Sequence, residues 1–216
     1  MTITSIQAYD KVGRLEVICG PMFSGKSEEL IRRMRRAKIA QQSVVAFKNR
    51  LDNQHDHAIE YVISHNGTKI SAQPTETVQE ILLIAEQENA QVICIDNVHF
   101  FSQKIIPTIC TLLAKGKQVI VAGLDLDFRG IPFGPIPTLL ALANQITKLH
   151  AICSQCGNEG NFTQRFINGK PALYDDPVLL IGAQETYQAR CRRCYTIDKN
   201  APFMALDLYE QKQNNV

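Results

Sequence analysis

Tryptophan is absent from this chain, and aromatic residues make up only 7% of it. No apolar run approaches the ~18 residues that a membrane-crossing helix needs. An excess of one charge is missing too: 23 Lys and Arg face 21 Asp and Glu, a net charge of +2. That balance removes the electrostatic case for a nucleic-acid or membrane-surface partner. The start, Met1 to Asp10, lacks the basic residues and apolar core of a secretion signal. Internal repeats and low-complexity tracts are lacking as well. What remains is a globular composition, 45% hydrophobic and 20% charged over 216 residues, which excludes wholesale disorder. The expectation is a soluble, cytoplasmic protein without membrane or nucleic-acid partners, with one large domain and a smaller appendage.

Residues 1–14 carry little pattern and read as a flexible arm, as do 206–216 at the other end. Apolar runs follow at Leu15–Cys19, Ser43–Phe47, Gln91–Ile95 and Gln118–Ala122, with a further candidate at Ile146–Ile152. They are rich in Val and Ile and nearly continuous, as strands covered on both faces of a parallel sheet are. Helical spacing separates them. Leu30, Met34 and Ala37 mark Ser27–Gln42, Val78, Ile81, Leu82 and Ala85 mark Thr77–Glu88, and Ile105, Ile109, Leu112 and Leu113 mark Lys104–Lys115. Alternating strand and helix predicts an α/β domain over 15–150, a parallel sheet with helices on both faces. Arg32, Arg33, Arg35, Arg36 and Lys38 cover the remaining faces of the first helix and read as a solvated basic surface or an anion site. Past residue 150 the texture turns to Gly, Asn, Pro and Cys, marking a second unit over 151–205.

The segment Gly20-Pro21-Met22-Phe23-Ser24-Gly25-Lys26-Ser27 fits G-x-x-x-x-G-K-[ST] between a strand and a helix. Glycines let backbone N–H groups wrap a phosphate, and the helix N-terminus adds partial positive charge. Lys26 is placed to reach the β- and γ-phosphates of ATP, and the Ser27 hydroxyl to ligate Mg²⁺. Asp96 ends the run Val92-Ile93-Cys94-Ile95-Asp96, the place of an acidic residue for the magnesium shell.

Of the seven cysteines, four form two C-x-x-C pairs, Cys153/Cys156 and Cys191/Cys194, separated by 34 residues. Two such knuckles supply the four thiolates of a closed, structural tetrahedral zinc site. Redox-active or simply reduced pairs are the alternative. Cys19, Cys94 and Cys110 lie in apolar runs and read as core.

Together with these motifs, the stretches Gly123-Leu124-Asp125-Leu126-Asp127-Phe128-Arg129-Gly130-Ile131-Pro132-Phe133-Gly134, Asn161-Phe162-Thr163-Gln164-Arg165 and Ile181-Gly182-Ala183-Gln184-Glu185-Thr186-Tyr187 resemble the zinc-containing (type II) thymidine kinase family, with weaker support from Ser64-His65-Asn66-Gly67. The resemblance implies a P-loop NTPase-like domain and a zinc domain whose loop covers the substrate. It implies transfer of the ATP γ-phosphoryl to the 5′-hydroxyl of thymidine. Phe128 would stack on the thymine, and Met22 and Leu124 would wall its methyl group. Val178, Leu179, Leu180, Ile181 and Gly182 would bind the base through backbone atoms, Tyr187 would pack at sugar and base, and Asp52 would lie on the substrate side. A homotetramer and feedback inhibition by dTTP are further implications.

The chain departs from that family's pattern at three places. The family's general-base Glu after the Walker B Asp is here Asn97, within Asp96-Asn97-Val98-His99-Phe100-Phe101. An amide cannot take up a proton. The family's Asp-x-Arg is Asp52-Asn53-Gln54, without the cation. His99 stands for a Gln; it is either a substitute base or a residue packed against Phe100 and Phe101. The ATP-contacting run is expected to extend over Asp96, Asn97, Val98 and His99. A catalytically degenerate nucleotide-binding paralogue is the second reading, and an unrelated P-loop ATPase with a zinc ribbon for nucleic acid a third, weakened by the flat charge.

Overall fold

The computed structural model describes residues 12–50, 60–63, 67–178 and 185–197. β1 (Arg14–Cys19) runs into the glycine-rich loop and then α1 (Lys26–Ile39). β2 (Val44–Asn49), a small hairpin of β3 (Tyr61–Ile63) and β4 (Lys69–Ser71), and β5 (Gln73–Thr75) follow. Next come α2 (Val78–Gln87), β6 (Val92–Asp96), a 3-10 turn at Val98–Phe100, α3 (Ile105–Ala114), β7 (Gln118–Gly123), α4 (Ile136–Leu142) and β8 (Gln145–Lys148). β5, β2, β6, β7, β1 and β8 form one parallel six-stranded sheet in that order.

Side-chain alternation sorts the core into two layers. Leu15, Val17 and Cys19 of β1 face one side, with Phe47, Ile93, Ile95, Val119 and Val121, under α2, α3 and α4. Ile18, Ala46, Cys94, Ile120 and Ala122 face the other, against Leu30, Ile31, Met34 and Ala37 of α1. The near-continuous apolar runs are therefore strands covered on both faces, as their composition predicts. Thr77 caps α2 by accepting from the Glu80 N–H at 3.4 Å.

The basic face of α1 is not wholly solvated, which corrects the reading of its arginines. Glu16 alternates onto the α1 side of β1, and Arg33 meets it there. Arg33 is 9% exposed; its Nη1 donates to Glu16 Oε2 at 2.6 Å, its Nε to Glu29 Oε1 at 2.8 Å and its Nη2 to Thr147 Oγ1 at 2.7 Å. Cys110 is also corrected: it is exposed, whereas Cys19 and Cys94 are buried. The predicted Ile146–Ile152 run is broken at Leu149-His150: the Leu149 N–H donates to the Cys19 carbonyl at 2.8 Å as the last rung beside β1, and pairing resumes only at Ala151.

Beyond β8 the pairings turn antiparallel. β9 (Ala151–Ile152) pairs with β10 (Glu159–Gly160), and β11 (Phe162–Ile167) lies between β12 (Lys170–Pro171) and β13 (Glu185–Arg190). Among the described residues, no helix is long and apolar enough to cross a membrane.

Removing one partner of a buried ion pair strands the other charge and costs about 3–5 kcal/mol. Glu16 retains Gln118 and Arg14 as neighbours, so Arg33→Met should cost about 3 kcal/mol in urea unfolding. A loss under about 1 kcal/mol would show that this network does not hold α1 to β1.

Candidate active site and metal centre

Every strand of the parallel sheet ends on the same edge, where ligands of such sheets bind. The loop after β1 is tightly wound. Gly20 has φ +144°, and a Cβ there would sit 2.3 Å from the Leu149 carbonyl oxygen. Gly25, at φ +83°, starts α1 in the left-handed region. The Pro21 carbonyl accepts from Ser24 Oγ at 2.8 Å and from Lys26 Nζ at 2.6 Å, so the ammonium is held within the loop. The Met22 N–H donates to Thr163 Oγ1 at 3.0 Å, tying the loop to β11, while Phe23 is 45% exposed.

Carboxylates at the ends of two neighbouring strands act on this cation through their charge. Asp96, at the end of β6, is 3% exposed; its Oδ2 accepts from Ser27 Oγ at 3.3 Å and its Oδ1 from the Asn97 N–H at 3.0 Å. Asp125, two residues past β7, is buried and pairs with Lys148 Nζ at 2.9 Å. Burial pushes the Lys26 ammonium down to about 8, opposed by the charges of Asp96 and Asp125. Ser27 and Asp96 make an oxygen pair suited to Mg²⁺, a hard cation that binds through one or two protein oxygens and phosphates.

Asn97 sits in the left-handed region at φ 49°, ψ 43°. Val98 is fully buried in the core under the sheet, so its side chain does not belong to a nucleotide-contacting run. His99 is 4% exposed, stacked at 4.2 Å from Phe100 and 4.8 Å from Phe133 (ring centroids). Its Nδ1 accepts from the Leu124 N–H at 3.1 Å. Burial, with a smaller contribution from the Lys26 charge, pushes its pKa down to about 3. The expectation of His99 as a substitute base is therefore corrected: a buried imidazole whose free lone pair is already used holds Leu124 in place.

Phe128 is 5% exposed, with the Arg165 guanidinium 4.3 Å from its ring centroid and its carbonyl accepting from Tyr195 Oη at 2.7 Å. The loop carrying it is closed by Asp127, which accepts from the backbone N–H groups of Arg129 and Ile131 and from the Arg129 guanidinium. Val178 stands near Arg165 Nη1, which lies 3.4 Å from its carbonyl oxygen. Tyr187 on β13 pairs with Arg165 on β11. Asp52, Leu179, Leu180, Ile181 and Gly182 lie outside the described residues, as do Asn53 and Gln54.

Sequence reasoning missed Arg165, Asp125 and Lys48. Arg165 is fully buried, and Lys48 is 6% exposed on β2, in register with Asp96 on β6. For Lys48 the available signal was a charge ending the apolar run Val44-Val45-Ala46-Phe47; Arg165 follows the polar pair Thr163-Gln164 and gave no such signal.

The sulfur atoms of Cys153, Cys156, Cys191 and Cys194 all lie within 4.8 Å of one another, and Cys156 and Cys191 are 3.6 Å apart. Tetrahedral zinc with ~2.3 Å bonds sets its sulfurs roughly 3.8 Å apart, so the donor set fits that ion. Burial works against a Cys153 thiolate, but the N–H groups of Cys191, Gln155 and Cys156 outweigh it and bring the thiol to about 6. Cys194, beside Cys156, is pushed up to about 12. Packed this closely, the thiols need a cation to ionise together.

The family model described as thymidine kinase matches residues 13–195. The chain belongs to the thymidine kinase family. For this thymidine kinase family member, the cysteine cluster agrees with the zinc-containing type. Solved structures superpose only partly. A DNA replication initiation factor matches at TM-score 0.37 and 13% identity, over 63% of this chain and 40% of that one. The replication initiator DnaA bound to AMPPCP and single-stranded DNA matches at 0.38 and 14%, over 63% and 40%. Domain III of the Thermotoga maritima replication initiation protein DnaA matches at 0.38 and 14%, over 62% and 54%. At such TM-scores these likenesses carry no functional argument.

Two outcomes are expected. Purified protein should carry one zinc per chain by metal analysis, and Cys191→Ser should lose it together with several degrees of thermal stability; full zinc occupancy in that variant would remove the four-thiolate site. The folded His99 pKa lies below its unfolded value, so the unfolded chain binds the extra proton first as pH falls. Stability from neutral His99 is present above about pH 6.5 and is lost toward about pH 3. Lowering the pH from 7 to 5 should cost the parent about 2 kcal/mol more than His99→Gln, read by urea titration at both values.

Proposed function

We propose that this protein transfers the γ-phosphoryl group of ATP to the 5′-hydroxyl of thymidine, for pyrimidine deoxynucleoside salvage in the cytoplasm. The observation that carries the reading is the family match over residues 13–195 on a chain whose Lys26, Ser27 and Asp96 converge at one edge of the sheet. The loop N–H groups and Lys26 bind the phosphates, with partial positive charge from the start of α1. Mg²⁺, held through Ser27 and Asp96, supplies neutralisation of phosphate charge. Met22, Leu124, Phe128, Val178 and Tyr187 form the described part of the nucleoside side. They are apolar or aromatic, as suits a flat base with few polar edges. The family resemblance extends the reading to Asp52 and 179–182, to a homotetramer and to dTTP as feedback inhibitor.

Asn97 sets the rate. Phosphoryl transfer through a loose transition state depends mainly on positioning and electrostatics; Lys26, Ser27 and Asp96 supply part of this, while Gln54 lacks the cation of the family pattern. The Asn97 amide can hydrogen-bond the 5′-hydroxyl but cannot accept the proton, which leaves with solvent or a phosphate oxygen. Asn97 also favours a second reading, a protein that binds nucleotide and nucleoside without useful turnover.

Thymidine monophosphate formation by the zinc-loaded protein at millimolar Mg²⁺ separates the two. The kinase reading expects product well above a Lys26→Ala control, and a gain of ~10²–10⁴ in kcat for Asn97→Glu. No product from the parent but activity after adding Glu at 97 and Arg at 54 would establish the second reading. Inactivity in both would end the kinase reading.

A further inference from the structure

We propose that Arg165 is a positioning residue for nucleoside recognition, its guanidinium fastening the Pro177–Val178 backbone to the Phe128 ring. The inference rests on the nucleoside-side reading above and deepens it. A fully buried guanidinium is costly unless its donors are used. Arg165 is 0% exposed, and its Nη1 donates to the Pro177 carbonyl at 2.7 Å, with the Val178 carbonyl at 3.4 Å. Its planar head lies over Phe128 at 4.3 Å from the centroid, a cation–π distance. One group thus touches two segments, 128 and 177–178, that are far apart in sequence and that both face the nucleoside in the proposed reading.

The strand carrying it explains why. Residues at i and i+2 of a strand share a face, so Thr163 and Arg165 of β11 point the same way. Thr163 accepts from the Met22 N–H in the phosphate loop. Tyr187 is the cross-strand partner of Arg165, and directly opposed residues of an antiparallel pair project to one face. This single face therefore meets Met22, Phe128, Val178 and Tyr187 from three parts of the chain. The opposite face is occupied otherwise: Gln164 accepts from the Thr196 N–H at 2.9 Å, and Phe162 stacks on Tyr195 at 4.6 Å. A lysine would keep the charge but not the flat fork that stacks and donates at once.

The test is calorimetric binding of thymidine and of ATP to full-length, zinc-loaded protein. Arg165→Met should weaken thymidine roughly 10- to 100-fold, the scale of a lost charged hydrogen bond, with ATP affinity within about twofold and zinc content unchanged. Arg165→Lys should still weaken thymidine roughly tenfold. Equal losses for ATP and thymidine, or unchanged thymidine binding, would overturn the assignment while leaving the proposed function standing. A parent protein that binds no thymidine would overturn both. Should Arg165→Met not fold, the lysine variant decides. Independently, the ¹⁵N resonance of the Arg165 guanidinium in the parent protein should move on adding thymidine and not on adding ATP; a resonance indifferent to thymidine refutes the role.

Discussion

The site depends on keeping a partly buried ammonium charged. Burial brings Lys26 down to about 8, and the carboxylates of Asp96 and Asp125 work against that shift. Their placement follows from topology. In a parallel sheet every strand delivers its last residue to the same edge, so β6 and β7 bring Asp96 and Asp125 toward the loop that leaves β1. An antiparallel neighbour would have put its carboxylate at the far end of the sheet. The charge balance of the phosphate loop is thus a consequence of strand order, and the order is enforced by apolar runs that must be covered on both faces.

What could be read from sequence divides along the same line. The phosphate loop and the C-x-x-C pairs were legible because all residues of each motif lie within a few positions, and the backbone does most of the work. The helices around Leu30, Ile81 and Ile109 were legible because burial repeats at the helical period. Arg33 was not: its meaning depends on Glu16 and Thr147, which are distant in sequence, and a run of arginines looks the same whether or not one member turns inward. Arg165 and Lys48 failed for the same reason. The short β5 and the β3–β4 hairpin carry three residues per strand, too few to show a period. α4 went unread because Pro135 and Pro137 flank its start, where proline suits a helix entry yet reads as a break.

The cysteine cluster and the strand pair that carries Arg165 and Tyr187 meet in the small antiparallel part of the chain. Cys153 lies just after β9, and Cys191 directly follows β13, so a metal holding both fixes how β13 enters its pairing with β11. Slipping that register by one residue would turn Tyr187 to the other face and part it from Arg165. Under the proposed function, an ion held by these cysteines is in this way coupled to the geometry of the nucleoside side.

The turn after Asp96 shows how two substitutions fit together. At φ 49° and ψ 43° a side chain pays roughly 1–2 kcal/mol for left-handed backbone, a cost that asparagine bears most easily among non-glycine residues. His99 then closes the turn by accepting from Leu124 and stacking on Phe100 and Phe133. With Nδ1 occupied as acceptor, the neutral imidazole carries its proton on Nε2, which is buried without a hydrogen-bond partner among the described residues. The segment thus forms a hydrogen-bonded connector between β6 and the loop after β7. A glutamate at 97 would regain a proton acceptor while meeting the backbone cost that asparagine lowers. A positioned base is worth ~10²–10⁴ in rate, or about 3–5 kcal/mol, so under the proposed function a glutamate at 97 would gain more in the transfer step than it costs in the turn.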